Sequence, residues 1–381
     1  MEYDLTEEQG MIKEVARRIA EEKILPVRQQ LDESGEFPYE IMKAIAGADL
    51  CRIFVPAEYG GLGGGIFDFC LAIEELSRVC SGVAVSYAAS GLGAFPILLV
   101  GTEQQKKRYL PPIASGEKLC AFALTEAQAG SDVSNVKTRA RPDGDFWILD
   151  GVKQFITNGG VADIYTVVAS TAPERGARGL STFVVEKGTE GFTFGKKEDK
   201  MGIRASVTRE LIFENCRIPR ENLLGKEGLG FVSAMRVFDR TRPGIGAQAV
   251  GIAQGAYDEA VRYAKTRVQF GKTIINFQAI QFMLAEMATH IEAARAFVYA
   301  VARWIDSGAK SVSRESSMVK VFASDVAMKV TVDAVQIMGG YGYMKEYPAE
   351  KMMRDAKITQ IYEGTNEIQK NVIGASIIKE A

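Results

Sequence analysis

The residues of this chain best suited to chemistry lie near its C-terminal end, in Ile361-Tyr362-Glu363-Gly364-Thr365-Asn366-Glu367-Ile368-Gln369. One acidic side chain stands here at a break between two helical stretches. Gly364 reads as the stop of the upstream helix, and Asn366 with Gln369 three residues later reads as a capping box that starts the next one. Glu363 therefore falls in a turn. In a closed apolar pocket a carboxylate's charged form is disfavoured by desolvation, which raises its proton affinity and suits it to drawing a proton from carbon. In open solvent the same residue is an ordinary turn carboxylate, and the segment alone admits both readings.

Other chemistries are harder to assemble. His290 is the only histidine, so neither a Ser-His-Asp triad nor a multi-histidine metal site is easily built, and no metal site is expected. It falls in a long helical pattern, as a helix-surface or packing residue. The five cysteines (Cys51, Cys70, Cys80, Cys120, Cys216) are odd in number and scattered, with no Cys-x-x-Cys pair, which argues for a reducing compartment. A net charge of -2 gives no basic footprint for nucleic acid, and Lys106-Lys107-Arg108 reads as the solvated face of a helix. No stretch reads as an unbroken transmembrane run, and the N-terminus shows neither signal-peptide nor transit-peptide pattern. The expectation is a bacterial cytoplasmic protein; a trimmed organellar one would look the same.

The elements that must position Glu363 follow from periodicity. At 381 residues, 47% hydrophobic and 25% charged, the chain has the composition of an ordinary globular protein of two to three domains or one large composite enzyme. Residues 1–118 are helical in pattern. They begin with a capping box at Thr6 and Gln9 and break at Pro26, Pro38 and the glycine run 60–65, which reads as a flexible connection rather than a dinucleotide fingerprint. Residues 119–225 change to short β-branched and aromatic segments such as Tyr165-Thr166-Val167-Val168, predicting a small antiparallel β-domain. Residues 226–381 return to helical periodicity in four long blocks, including 279–304 and 315–337, which suggest a four-helix bundle. The fold class is therefore α+β, in the order helical, β, helical. Without βαβ units, a Rossmann dehydrogenase is disfavoured.

Two further motifs join the Glu363 segment: Ala123-Leu124-Thr125-Glu126-Ala127-Gln128-Ala129-Gly130-Ser131-Asp132, and Gln336-Ile337-Met338-Gly339-Gly340-Tyr341-Gly342-Tyr343 continued by Glu346, Lys351 and Asp355. In this order and these domains, the three together resemble the acyl-CoA dehydrogenase family, short- and medium-chain type, across essentially the whole chain. Asn135 departs from the small residue usual in the first motif, and Phe155 stands where many relatives have tryptophan. The resemblance implies FAD as cofactor, its flavin between the β-domain and the C-terminal bundle. Thr125 and Thr157 supply hydroxyls for the flavin's polar edge, and the ring of Phe155 offers a flat cover. Ser131 corresponds to a position beside the cofactor phosphates or the thioester ligand, or simply caps a turn. Thr365 is carried over as a cofactor contact. Arg267, Gln269, Phe270, Gln336, Gly339 and Gly340 match segments that in relatives reach the FAD of a neighbouring subunit, which implies a homotetramer built as a dimer of dimers. For the two glycines a tight interhelical turn is an equally natural role.

By the same resemblance, Arg242 and Asp239 contact the coenzyme A portion of the substrate, although a surface ion pair would use the same two residues. Gly364, beside the glutamate, is carried over as a substrate contact. The implied reaction removes two hydrogens from the α and β carbons of an acyl-CoA, with Glu363 taking the α-proton and flavin N5 the hydride. Some relatives place the base where this chain has Thr241, which cannot serve. An electron-transfer flavoprotein is the implied acceptor; an acyl-CoA oxidase would share the base but pass electrons to oxygen. The pocket floor is expected near Tyr87 and Ala88. There Ala84, Ala88 and Gly91 share a helical face, leaving either width for a branched or alicyclic group such as cyclohexanecarboxyl-CoA, or merely close helix packing.

Overall fold

The computed structural model describes residues 3–380. Six helices open the chain: α1 (Glu7–Ile19), α2 (Arg28–Ser34), α3 (Tyr39–Gly47), α4 (Ile66–Val79), α5 (Ser81–Val100) and α6 (Glu103–Ala114). The capping box at Thr6 and Gln9 forms as the sequence predicts, each side chain taking the other residue's backbone N–H. The glycine run before α4 is a packed turn rather than a flexible connection. A Cβ on Gly61 would lie 1.8 Å from the Val55 carbonyl oxygen, and Asp306 accepts the free N–H groups of Ile66 and Phe67 at 2.7 and 2.8 Å. The far end of another helix thus caps α4.

α5 corrects a second expectation. Over its 20 residues it is long and apolar enough to cross a membrane, with a mean hydropathy of 1.8 in its best window. It lies inside the protein, because a helix that is apolar all round suits a core as well as a bilayer.

The middle section carries β1 (Cys120–Ala123), β2 (Arg139–Asp143), β3 (Phe146–Thr157), β4 (Ile164–Ser170), β5 (Leu180–Glu186), β6 (Phe192–Lys197), β7 (Thr208–Pro219) and β8 (Leu223–Leu224). They form one sheet in the order β6-β7-β3-β2-β4-β5-β8, with β1 beside β4. It is mixed, not purely antiparallel. β1 runs parallel to β4 through Cys120↔Ile164 to Ala123↔Val167, and β2 meets β4 in parallel at Arg139↔Ser170. Turn residues reveal hairpins, whereas β1 reaches β4 only after the β2–β3 hairpin has intervened. Trp147, Leu149, Tyr165, Phe183, Phe192 and Phe213 fill the core of this section.

The last section comprises the 37-residue α7 (Gly230–Thr266), a small hairpin of β9 (Val268–Gln269) and β10 (Lys272–Thr273), then α8 (Gln278–Asp306), α9 (Ser313–Met338), α10 (Ala349–Thr359) and α11 (Asn366–Glu380). The fourth helical block is interrupted, and the interruption carries Glu363. α4 and α5 pack against α7, so the N- and C-terminal helices share one continuous apolar core. The sheet stands beside it, and the site lies where the three sections meet.

Candidate active site

Pro243 shapes the first wall. It lies inside α7 and cannot donate to the carbonyl of Asp239, four residues earlier; the Ser316 hydroxyl of α9 takes that carbonyl instead at 2.6 Å. The preceding residues, Thr241 and Arg242, line a cavity of about 410 Å³. Glu363 and Gly364 line it from the turn between α10 and α11. Phe69, Ile73, Ala88 and Leu92 line it from α4 and α5, and Thr125, Ser131, Phe155 and Thr157 from the sheet section.

The turn differs in detail from the sequence reading. Glu363 and Gly364 both adopt left-handed backbone, with φ of +51° and +90°. The φ of Gly364 favours glycine, and a Cβ there would also meet the Gln369 amide nitrogen at 2.3 Å and displace that side chain. The cap of α11 is Thr365, whose hydroxyl accepts the Ile368 N–H (3.3 Å) and whose carbonyl accepts the Gln369 N–H (2.9 Å). No capping box joins Asn366 and Gln369. Both side chains turn inward, and the Gln369 amide donates to the carbonyls of Glu363 and Gly364 at 3.2 Å each. Thr365 caps a helix and does not line the cavity.

Burial pushes the Glu363 carboxyl up to about 7; the Thr241 hydroxyl, donating to Glu363 Oε2 at 2.8 Å, and the Arg242 and Lys320 cations oppose that rise without cancelling it. The result is a carboxylate able to accept a proton near neutral pH. Arg242 is 4% exposed, and its guanidinium bonds Asp239 Oδ1 (3.2 Å), Ser317 Oγ (3.4 Å) and the Glu363 carbonyl (3.4 Å). Its fork thus holds the turn while the residue lines the cavity. Asp239 lies behind it, outside the lining, and accepts the Ser313 hydroxyl at 2.5 Å.

On the opposite wall, the pairing of β3 with β7 shifts register between Lys153 and Ile156, and Phe155 within the bulge has φ +60°. The bulge turns its ring out of the sheet, where it is 58% exposed at the cavity. A free aromatic face flanked by the hydroxyls of Thr125, Thr157 and Ser131 matches a planar heteroaromatic ring with a polar edge and a phosphate tail. The residues fit FAD.

Tyr87 is a correction. Its side chain is wholly buried, its hydroxyl donates to the Leu50 carbonyl at 2.8 Å, and its ring packs edge-on against Phe69; it supports the wall without facing the cavity. Of the small residues on its helix, Ala88 faces the cavity. Ala84 is buried, and Gly91 packs directly on the Phe69 ring. A second, open cleft of about 490 Å³ collects Arg267, Gln269, Gly339 and Gly340, with the Arg267 guanidinium over the Tyr341 ring. Phe270, on the β9–β10 turn, is 94% exposed, and Gln336 is exposed on α9 outside that lining.

Comparison with known proteins supplies the family. The acyl-CoA dehydrogenase N-terminal, middle and C-terminal domain models match residues 6–117, 121–216 and 228–378. The chain belongs to the acyl-CoA dehydrogenase family. Butyryl-CoA dehydrogenase from Megasphaera elsdenii is similar over 99% of this chain and 100% of its own, at 46% identity and a TM-score of 0.97. A structure from work on the electron transferring flavoprotein of Acidaminococcus fermentans covers 100% of both chains at 50% identity and a TM-score of 0.97. Cyclohex-1-ene-1-carbonyl-CoA dehydrogenase of Geobacter metallireducens is 47% identical, over 98% of this chain and 99% of its own. The present chain is accordingly an oxidoreductase that uses FAD to dehydrogenate acyl-CoA thioesters.

Two groups around the turn escaped the sequence reading. The Thr241 hydroxyl could be seen only as unfit to be the base, not as its hydrogen-bond donor. Lys320 carries a clearer signal, since it falls with Ser316, Ala323 and Ala327 on one helical stripe of small residues, where a lysine has no reason to be unless it reaches inward.

Proposed function

We propose that Glu363 removes the α-proton of an acyl-CoA whose acyl group is short to medium in length, uncharged, and linear or branched, and that Thr125, Ser131, Phe155 and Thr157 hold the flavin on the opposite wall. One observation carries the reading: the Glu363 carboxyl, shifted up to about 7, lies in a cavity lined mainly by apolar side chains that also contains the exposed Phe155 ring. FAD, when bound, supplies the hydride acceptor. Thr241 and the left-handed turn fix the carboxylate, and the apolar walls exclude water from it. The acyl end meets Phe69, Ile73 and Leu92, which offer no partner for a terminal carboxylate. Ala88 and Gly244 leave width, which favours an alicyclic thioester as the second reading.

The open cleft and the exposed Phe270 support a homotetramer in which a neighbouring subunit completes the cofactor site through Arg267, Gln269, Phe270, Gln336, Gly339 and Gly340. An electron-transfer flavoprotein as acceptor, a place in β-oxidation and a bacterial cytoplasmic location complete the proposal. Glu363→Gln tests its core. The variant should keep the flavin spectrum and bind acyl-CoA but reduce the flavin on the order of a hundredfold to ten-thousandfold more slowly; near-normal anaerobic bleaching would place the base elsewhere. A thioester panel spanning butyryl, branched, cyclohexanecarboxyl and dicarboxylic acyl groups tests the substrate class, and preference for the dicarboxylic substrate would refute it. Admission of air to the reduced enzyme distinguishes oxidase behaviour.

A further inference from the structure

One buried cation beside the cavity has no part in the chemistry described so far. Lys320, on α9, is 0% exposed. Its ammonium donates to the Gly364 carbonyl and to Asn366 Oδ1, both at 2.8 Å. Both acceptors are neutral, which distinguishes Lys320 from the buried Lys153 and Lys351, whose ammonium groups lie 2.7 and 2.5 Å from the carboxylates of Glu126 and Asp355. A lysine buried on neutral acceptors is costly, and two hydrogen bonds of this kind could be made by an uncharged donor. Something further must hold an amine at this place.

The geometry around Lys320 indicates what that is. Its two acceptors belong to the catalytic turn: one is the carbonyl of the residue after Glu363, and the other is the first side chain of α11. The Asn366 amide is held in turn by Ser324 Oγ and Asp325 Oδ1, each at 2.9 Å, while Gln369 grips the Glu363 and Gly364 carbonyls from the other side. The two left-handed residues are thus clamped from α9 and α11 together. We propose that Lys320 is a positioning residue for Glu363, clamping its turn through Gly364 and Asn366 and supplying the positive field in which the carboxylate exchanges its proton.

Few other charged or titratable groups face this pair. Thr241 and Arg242 face Glu363 from α7; Arg242 from α7, Asp325 from α9 and Glu367 from α11 act on Lys320. Burial pushes Lys320 down to about 7, the same range to which burial raises Glu363, so their protonation states are linked in one pH window.

The inference rests on Glu363 being the base, and Lys320→Met against Lys320→Arg in the FAD-loaded enzyme tests it separately. Two readouts are followed against pH: the rate of anaerobic flavin bleaching by acyl-CoA, and the carboxyl infrared band, each variant referenced to its own Glu363→Gln partner. Loss of the cation removes an influence that lowers the Glu363 pKa. Lys320→Met should therefore move both midpoints up by about half a pH unit, and Lys320→Arg should hold them near the wild-type position. Coincident midpoints in wild type and Lys320→Met would overturn the proposal, as would an equal shift in Lys320→Arg. A fully active Glu363→Gln enzyme would refute the base assignment instead. If Lys320→Met does not fold, the reciprocal measurement decides: in Glu363→Gln the Lys320 amine, followed by its side-chain carbon resonance, should titrate at lower pH than in the wild type, and an unchanged midpoint would overturn the inference.

Discussion

Two glutamates, Glu126 buried and Glu363 half-buried at the cavity wall, each near a buried lysine, have opposite properties in this molecule. Glu126, in the loop after β1, is 3% exposed; burial alone would raise its carboxyl, but Lys153 at 2.7 Å and the N–H groups of Lys137 (2.7 Å) and Thr138 (2.9 Å) bring it below the usual carboxylate range. Glu363 has one short hydrogen bond, from Thr241, and its nearby cations point mainly at other acceptors; burial prevails and the carboxyl rises to about 7. The residue types are the same, and the number of donors aimed at the carboxylate decides which becomes a rivet and which can take a proton. Glu126 pins the loop that carries Thr125 and Ser131, and Lys153 adds a bond to the Leu124 carbonyl at 2.9 Å.

This contrast has a thermodynamic sign. Folding lowers the Glu126 pKa, so its stabilisation is present above the unfolded carboxylate range and is lost as pH falls through the folded value. Folding raises the Glu363 pKa from 4.5 to about 7, so its contribution is greatest below 4.5 and is lost as pH rises through about 7. The base site costs stability at the pH where it works.

The strongest way to break the contrast is Lys153→Met, which leaves Glu126 buried without its cation. We expect a loss of about 3–5 kcal/mol in urea unfolding, together with weaker FAD retention as the Thr125 loop loosens. A variant as stable as wild type would mean that Glu126 is satisfied by its backbone donors alone.

A smaller effect is expected where the cavity is apolar. Ala88→Leu should discriminate against branched and cyclohexanecarboxyl thioesters relative to butyryl-CoA by about one to a few kcal/mol in kcat/KM. Equal loss on every substrate, with FAD retained, would show that Ala88 does not shape selectivity. Smallest is Thr241→Val, which removes the one short hydrogen bond on the Glu363 carboxylate. Its acid limb should move upward by about half a unit to one unit, as expected for one neutral donor worth about 1 kcal/mol. An unmoved limb would remove Thr241 from the account.

How much of this was legible depended on whether the cause was local. Thr6 and Gln9 announce their cap because both partners lie within one turn, and the blocks of α8 and α9 follow from their period. Glu363 was visible because a glycine follows it. The details of its turn were not, since Asn366 and Gln369 have cap chemistry but are turned inward, Asn366 by Lys320 and Ser324, far away in sequence, and Gln369 by the carbonyls of the turn itself, whose position depends on that same packing. Tyr87 and Ala88 are adjacent in sequence yet point to opposite sides of one wall, which only the packing of Phe69 and Leu50 decides. The parallel β1–β4 pairing and the Asp306 cap on α4 are likewise long-range, joining segments that no turn motif connects.

The most direct test of the central claim is the pH dependence of flavin bleaching by acyl-CoA in the wild-type enzyme, measured anaerobically in a single turnover so that product release and the electron acceptor play no part. A carboxyl raised to about 7 is protonated and idle below that pH. The observed rate, at subsaturating acyl-CoA, should therefore climb with pH about a midpoint near 7 and level off above it. A limb centred on the ordinary carboxylate value of 4.5, or a rate flat from pH 5 to pH 8, would contradict the account.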